Sequence, residues 1–131
     1  MPRPKEEQPT PAELEVLKVI WNRGASTVRE VMDVLNEERP RAYTSVMSLL
    51  NVMADKGLLR RIAQGRAFLY EAAVDRQSAL QQMVGDLLGR VFEGSTRELV
   101  AHMLDQSNPS REELDEIRKA IREYQQQRSD P

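Results

Sequence analysis

Three hydroxyl side chains fall within five residues, at Thr44, Ser45 and Ser48, and Asn51 lies one helical turn beyond Ser48. Three guanidinium groups follow at Arg60, Arg61 and Arg66. Backbone N–H groups at the start of a helix bind phosphate oxygens, helped by the partial positive charge of that end, and short hydroxyls add to them. A carboxamide offers a donor beside an acceptor, the pattern that matches the major-groove edge of adenine. Guanidinium groups pair with phosphate. Tyr43, just ahead of the hydroxyls, can contact a sugar–phosphate chain or a thymine methyl group. The shared chemistry is hydrogen bonding and charge pairing to an anionic polymer. Each residue also has a plainer use. Thr44 can simply cap the helix. Ser45 and Ser48 can be exposed filler, and one of Arg60 and Arg61 can cover apolar surface with its stem.

This set of residues needs a helix followed by a hairpin to hold it, and the flanking sequence supplies both. Thr10, Pro11 and Glu13 open a first helix with a capping box. Leu14, Leu17, Ile20 and Trp21 recur in it at helical spacing, and Gly24 stops it. Thr27 and Glu30 open a second, with Val28, Val31, Val34 and Leu35 on its apolar side and Pro40 as its bound. A third is expected over residues 43–55, with Val46, Leu49, Leu50 and Met53 inward and Gly57 as its C-terminal cap. The segments LLRRIA and AFLYEA are short and alternating, and QGR between them makes a hairpin with Gly65 at positive φ. Three helices and a hairpin in this order form the winged helix arrangement. Its third helix enters the DNA major groove and its hairpin tip reaches the backbone. Thr44, Ser45, Ser48 and Asn51 then face DNA, Arg66 sits at the tip, and Arg60 and Arg61 lie on the strand leading to it. Phosphate contacts position such a protein, and base contacts specify its site.

The formal net charge of −2 hides an uneven distribution. Residues 39–66 hold six basic side chains and one acid, a local charge of +5, whereas residues 76–131 hold eight basic and ten acidic residues. A basic segment in an acidic chain is either a local anion site or an ordinary solvated surface. The absence of cysteine excludes disulfides, a thiol nucleophile and thiolate metal sites. No phosphate-binding glycine loop, metal-ligand cluster or nucleophile with a paired base occurs, so neither enzyme activity nor a cofactor or metal is expected. Glu13, Glu30, Glu98 and Glu113 all fall at capping-box positions. Residues 1–13 lack a signal-peptide pattern, and no apolar run nears the roughly 20 residues of a membrane span. A soluble, cytoplasmic protein without membrane insertion is expected.

The second part reads as helical. Asp75 can cap a helix with Leu80, Val84, Leu87 and Val91 on one stripe. Ser95 and Glu98 open the next, ahead of Leu99, Val100, Met103 and Leu104. Ser110 and Glu113 open the last, with Leu114, Ile117, Ile121 and Tyr124 on one stripe. Three short helices in roughly 50 residues cannot bury both stripes alone. A second copy of the chain can cover them, or they pack on the first part. His102 is the single histidine; it can titrate near neutral pH or serve structurally beside Val100 and Met103. The expected fold class is mainly α. Residues 1–9 form a disordered arm, 10–75 a winged helix DNA-binding domain, 76–126 a three-helix dimerisation domain and 127–131 a frayed tail.

The motifs TPAELEVLKVIWNRG, STVREVMDVLNE, AYTSVMSLLNVMADKGLLRR and GRAFLYEAAV resemble those of the penicillinase-repressor family (BlaI/MecI type) of bacterial transcriptional regulators, over about residues 10–125. The resemblance implies a homodimeric repressor on double-stranded, pseudo-palindromic operator DNA. It implies DNA contact at Thr44, Ser45, Ser48 and Arg66 and dimerisation through the C-terminal helices. Val52 stands where the family often has a basic residue. The Asn-Phe bond cut by a protease in β-lactam-responsive members looks replaced by His102-Met103, and the cysteines of copper-responsive relatives are absent. The inducing signal, the operator sequence and the regulated genes stay open. A helical protein-interaction module and a DNA-binding activator of the same fold are the alternatives to a repressor.

Overall fold

A computed structural model describes residues 9–129. Its elements run α1 (Pro11–Arg23), α2 (Val28–Leu35), α3 (Tyr43–Lys56), β1 (Leu59–Gln64), β2 (Ala67–Ala72), α4 (Arg76–Arg90), α5 (Thr96–Ser107) and α6 (Arg111–Ser129). Three helices followed by a two-stranded antiparallel sheet make the first part a winged helix. Of the four expected boxes, those at Thr10 and Thr27 are complete, while Ser95 and Ser110 accept the N–H without a return bond from Glu98 or Glu113 among the described residues. Thr10 Oγ1 accepts from the Glu13 N–H at 3.2 Å and Glu13 returns a bond to the Thr10 N–H at 3.0 Å. Thr27 and Glu30 repeat the pattern at 3.1 and 2.9 Å.

One core holds these elements together. Val16, Leu17, Val19 and Ile20 of α1 meet Val28, Val31 and Leu35 of α2, Val46, Leu50 and Met53 of α3, Leu59 of β1 and Tyr70 of β2. Burying side chains of this size contributes about 1.5–3 kcal/mol each. Gly57 ends α3 at φ 89°, a left-handed cap that turns the chain into β1. The hairpin pairs Leu59 with Ala72 through to Gln64 with Ala67. That register leaves a two-residue loop whose first residue, Gly65, has φ 61°. Trp21 Nε1 donates to the Val74 carbonyl at 2.9 Å, which ties the exit of β2 to α1.

The compact division of the chain falls between Val84 and Gly85, inside α4, while the sequence puts the domain boundary ahead of that helix. Asp75 opens α4 by accepting from the Ser78 N–H at 3.1 Å. Bonds from the Ser78 hydroxyl and then its N–H hold the Asp75 carboxyl below its ordinary value of 3.8. The cap is therefore fully effective above pH 3.8 and is lost as pH falls below it, through the lowered value.

In the second unit, Ser95 and Ser110 each accept from the N–H three residues on and so start α5 and α6. Helix α6 continues to Ser129, past the frayed tail expected from residue 127. Gln125, Gln126 and Gln127 are good helix formers, and the Arg128 guanidinium stacks 5.9 Å from the Tyr124 ring. The arm expected over residues 1–9 lies outside the described residues except for Pro9. No described helix is long and apolar enough to cross a membrane.

Candidate nucleic-acid interface

The start of α3 differs from every other helix start among the described residues. Thr10, Thr27, Asp75, Ser95 and Ser110 each receive a backbone N–H at the start of their helix. Helix α3 instead starts from Ala42, in extended conformation, with no side-chain cap. Thr44 is thus inside the first turn and does not act as the cap. The first N–H groups of α3 keep their free donors, flanked by exposed hydroxyls at Thr44, Ser45 and Ser48. Val46, Leu50 and Met53 point the other way and anchor the helix in the core.

The structure redraws the basic segment. Four of its six cations have carboxylate partners, three of which come from outside residues 39–66. Arg41 pairs with Glu15 at 3.1 Å and also donates to the Leu35 carbonyl. Lys56 pairs with Glu13 at 2.9 Å, Arg60 with Glu71 across the hairpin at 3.0 Å, and Arg61 with Asp55 at 3.4 Å. The sequence window of +5 counted only Asp55 and missed Glu13, Glu15 and Glu71, which the fold brings in. Arg66, at the exposed hairpin tip, has no such partner among the described residues.

Asn51 is also engaged. Its Oδ1 accepts from the Tyr70 hydroxyl at 2.9 Å and from Arg61 Nε at 3.3 Å, and its carbonyl accepts from Arg61 Nη2 at 3.4 Å. Arg61 Nε–H can only donate, so the amide oxygen must face it. Asn51 therefore cannot offer adenine a bidentate pair without giving up these bonds. Tyr43 is 42% exposed, and Arg29 stacks over its ring at 5.6 Å. Val52 lies exposed on α3, so an apolar side chain occupies solvent-facing surface there.

A cleft of ≈ 450 Å³ lies between the first turn of α2, one face of α3 and strand β2. Tyr43, Met47 and Phe68 form its apolar surface, with Arg29 and Arg66 among the residues around them. Arg29 and Met47 escaped the sequence reading. The spacing of Tyr43, Met47 and Asn51, each four apart, signals a second helix face, and Arg29 lies outside the basic window because α2 precedes it in the chain.

A profile of the penicillinase repressor family matches residues 9–123. The chain belongs to the penicillinase repressor family. It is 26% identical over 119 residues to the penicillinase repressor of Bacillus licheniformis, covering 91% of this chain and 93% of that protein. It is 30% identical over 115 residues to the transcriptional regulator BlaI of Mycobacterium tuberculosis, covering 86% and 82%. Among solved structures, the monomeric form of Bacillus licheniformis BlaI in complex with the blaP half-operator aligns at TM-score 0.48 and 31% identity, over 54% of this chain and 87% of that one. The penicillinase repressor family is one of transcriptional repressors and not of enzymes. Its matched span takes in α5 and most of α6 as well as the winged helix. His102 is exposed on α5 with its ring 5.3 Å from that of Phe92.

Proposed function

We propose that this protein is a homodimeric, sequence-specific transcriptional repressor that binds a pseudo-palindromic operator in the cytoplasm. The observation that carries this reading is the uncapped, hydroxyl-rich start of α3 beside Arg66 at the hairpin tip, which has no carboxylate partner among the described residues. Thr44, Ser45 and Ser48 approach base edges and phosphates in the major groove, and Arg66 binds the backbone beside it. Arg29 adds a phosphate contact from the first turn of α2. Arg60 and Arg61 shape the hairpin through Glu71, Asp55 and Asn51 instead of meeting phosphate directly.

The dimer follows from unsatisfied apolar surface. Val84, Leu87 and Val91 are 53%, 42% and 64% exposed, and Ile121 and Tyr124 are 52% and 59% exposed. Leu80, Leu114 and Ile117 are half-buried on the same stripes. A groove of ≈ 660 Å³ between α5 and α6 has Met103, Leu104, Ile117, Ile121 and Tyr124 in its lining. A second copy covers such faces and brings two α3 helices to two half-sites. The half-sites are then spaced by about one DNA turn or a multiple of it.

Selection from a random duplex pool by the full-length protein tests this. The expected product is an enriched dyad whose binding weakens steeply as salt rises. A pool that stays random, or enrichment of a single unpaired half-site, counts against it.

A further inference from the structure

Tyr70 joins the wing to both of its neighbours. Its backbone N–H donates to the Ser26 carbonyl at 2.8 Å, and the Ser26 N–H donates back to the Tyr70 carbonyl at 3.0 Å. That isolated bridge fixes β2 to the loop ahead of α2, where Ser26 is fully buried. The Tyr70 ring is 3% exposed, and its hydroxyl reaches Asn51 Oδ1 on α3. Arg61, directly opposite Tyr70 in the hairpin, donates to the same oxygen and to the Asn51 carbonyl. Both strands of the wing therefore meet α3 at one residue. Beyond this junction Phe68, Ala67 and Arg66 are exposed, as are Ile62, Ala63 and Gln64 on the other strand.

We propose that the Tyr70–Asn51 hydrogen bond is a positioning device for DNA binding: it sets the angle of the wing against α3 and so places Arg66 on its phosphate. This rests on the DNA-binding reading above. Arg66 lies four residues from Tyr70, so the wing acts as a lever of roughly 13 Å. A rotation of about 5° at its root moves the tip by roughly 1 Å, more than the whole range of a good N–H···O distance. The bridge to Ser26 holds one edge of the root; the hydroxyl bond stops rotation about that edge. The same bond explains why a polar Asn sits on a face of α3 that otherwise presents Tyr43 and Met47 to the cleft.

The test is a double-mutant cycle on a duplex selected by the wild-type full-length protein. Tyr70→Phe removes the hydroxyl and keeps the buried ring and the backbone bridge. In the wild-type background it is expected to weaken binding about threefold to tenfold, the range one hydrogen bond supports. In an Arg66→Ala background it is expected to cost less than about twofold, because the side chain being positioned is gone. A merely structural role predicts the same loss in both backgrounds, and that result, or no loss in either, overturns the proposal. Should Tyr70→Phe lack a cooperative thermal transition, Asn51→Ala breaks the same bond from α3 and is read in the same cycle. If the wild type selects no duplex, the DNA-binding reading itself fails. If it selects one and the cycle is additive, only the positioning role fails.

Discussion

Lys56→Met is expected to cost about 3–5 kcal/mol of stability, the penalty for removing one partner of a buried ion pair. The Lys56 side chain is 10% exposed and that of Glu13 is 3% exposed, and the ammonium lies 2.9 Å from both carboxylate oxygens. The carboxylate sits in the first turn of α1 and the ammonium in the last turn of α3, each at the helix end that favours its charge. One carboxylate oxygen also bonds the Thr10 N–H, so the pair links a helix cap to the far end of α3. Without Lys56 the fold encloses a carboxylate with one backbone donor left to it. Against the roughly 5–15 kcal/mol typical of a whole domain, such a loss lowers the urea midpoint sharply. The double change Glu13→Leu with Lys56→Met should recover more than half of it, because no uncompensated charge remains. Urea melts at neutral pH decide the matter, and a loss under about 1 kcal/mol for Lys56→Met contradicts the account of the pair.

Leu87→Asp is expected to convert the proposed dimer to a monomer at micromolar concentration. Leu87 is 42% exposed in the single chain and belongs to the stripe formed with Leu80, Val84 and Val91. Covering the 42% of Leu87 still exposed contributes about 0.6–1.3 kcal/mol, its share of the about 1.5–3 kcal/mol of full burial, and a two-fold interface loses that contribution twice. The two aspartates must also lose water on an apolar face. Together these effects weaken association by at least about a hundredfold. Binding to a duplex with two half-sites should fall accordingly, while binding to an isolated half-site stays within about twofold, since α3 and the wing lie in the other compact unit. Sedimentation equilibrium checks the first part. A variant that stays dimeric moves the interface to the α5–α6 groove, where Ile121→Asp becomes the informative change.

Features decided by neighbouring residues were legible in the sequence. The boxes at Thr10 and Thr27, the left-handed stop at Gly57 and the turn at Gly65 each depend on a few adjacent side chains. Features decided across the fold were not. Lys56 and Glu13 are 43 residues apart, and Arg41 and Glu15 are 26 apart, so a local count of charge had no means of pairing them. The same limit hid the engagement of Asn51, whose partner Tyr70 arrives only when the hairpin folds back on α3. Thr44 illustrates a different ambiguity. A threonine near a helix start reads equally as a cap or as an inside residue, and one residue of backbone geometry, the extended Ala42, decides between them. The exposed stripes of α4 and α6 were legible as periodicity, but periodicity does not name what covers them.

The central claim is that the tip of the wing and the start of α3 meet DNA phosphates. Its most direct test is the salt dependence of binding to a selected duplex, compared between the wild type and Arg66→Ala. Each lost phosphate contact lowers the steepness of log K against log salt by about 0.9. A dimer lacking both Arg66 contacts should therefore show a slope shallower by about 1.8, with affinity reduced about equally for every sequence tested. An unchanged slope, or a loss confined to one base position, contradicts the account.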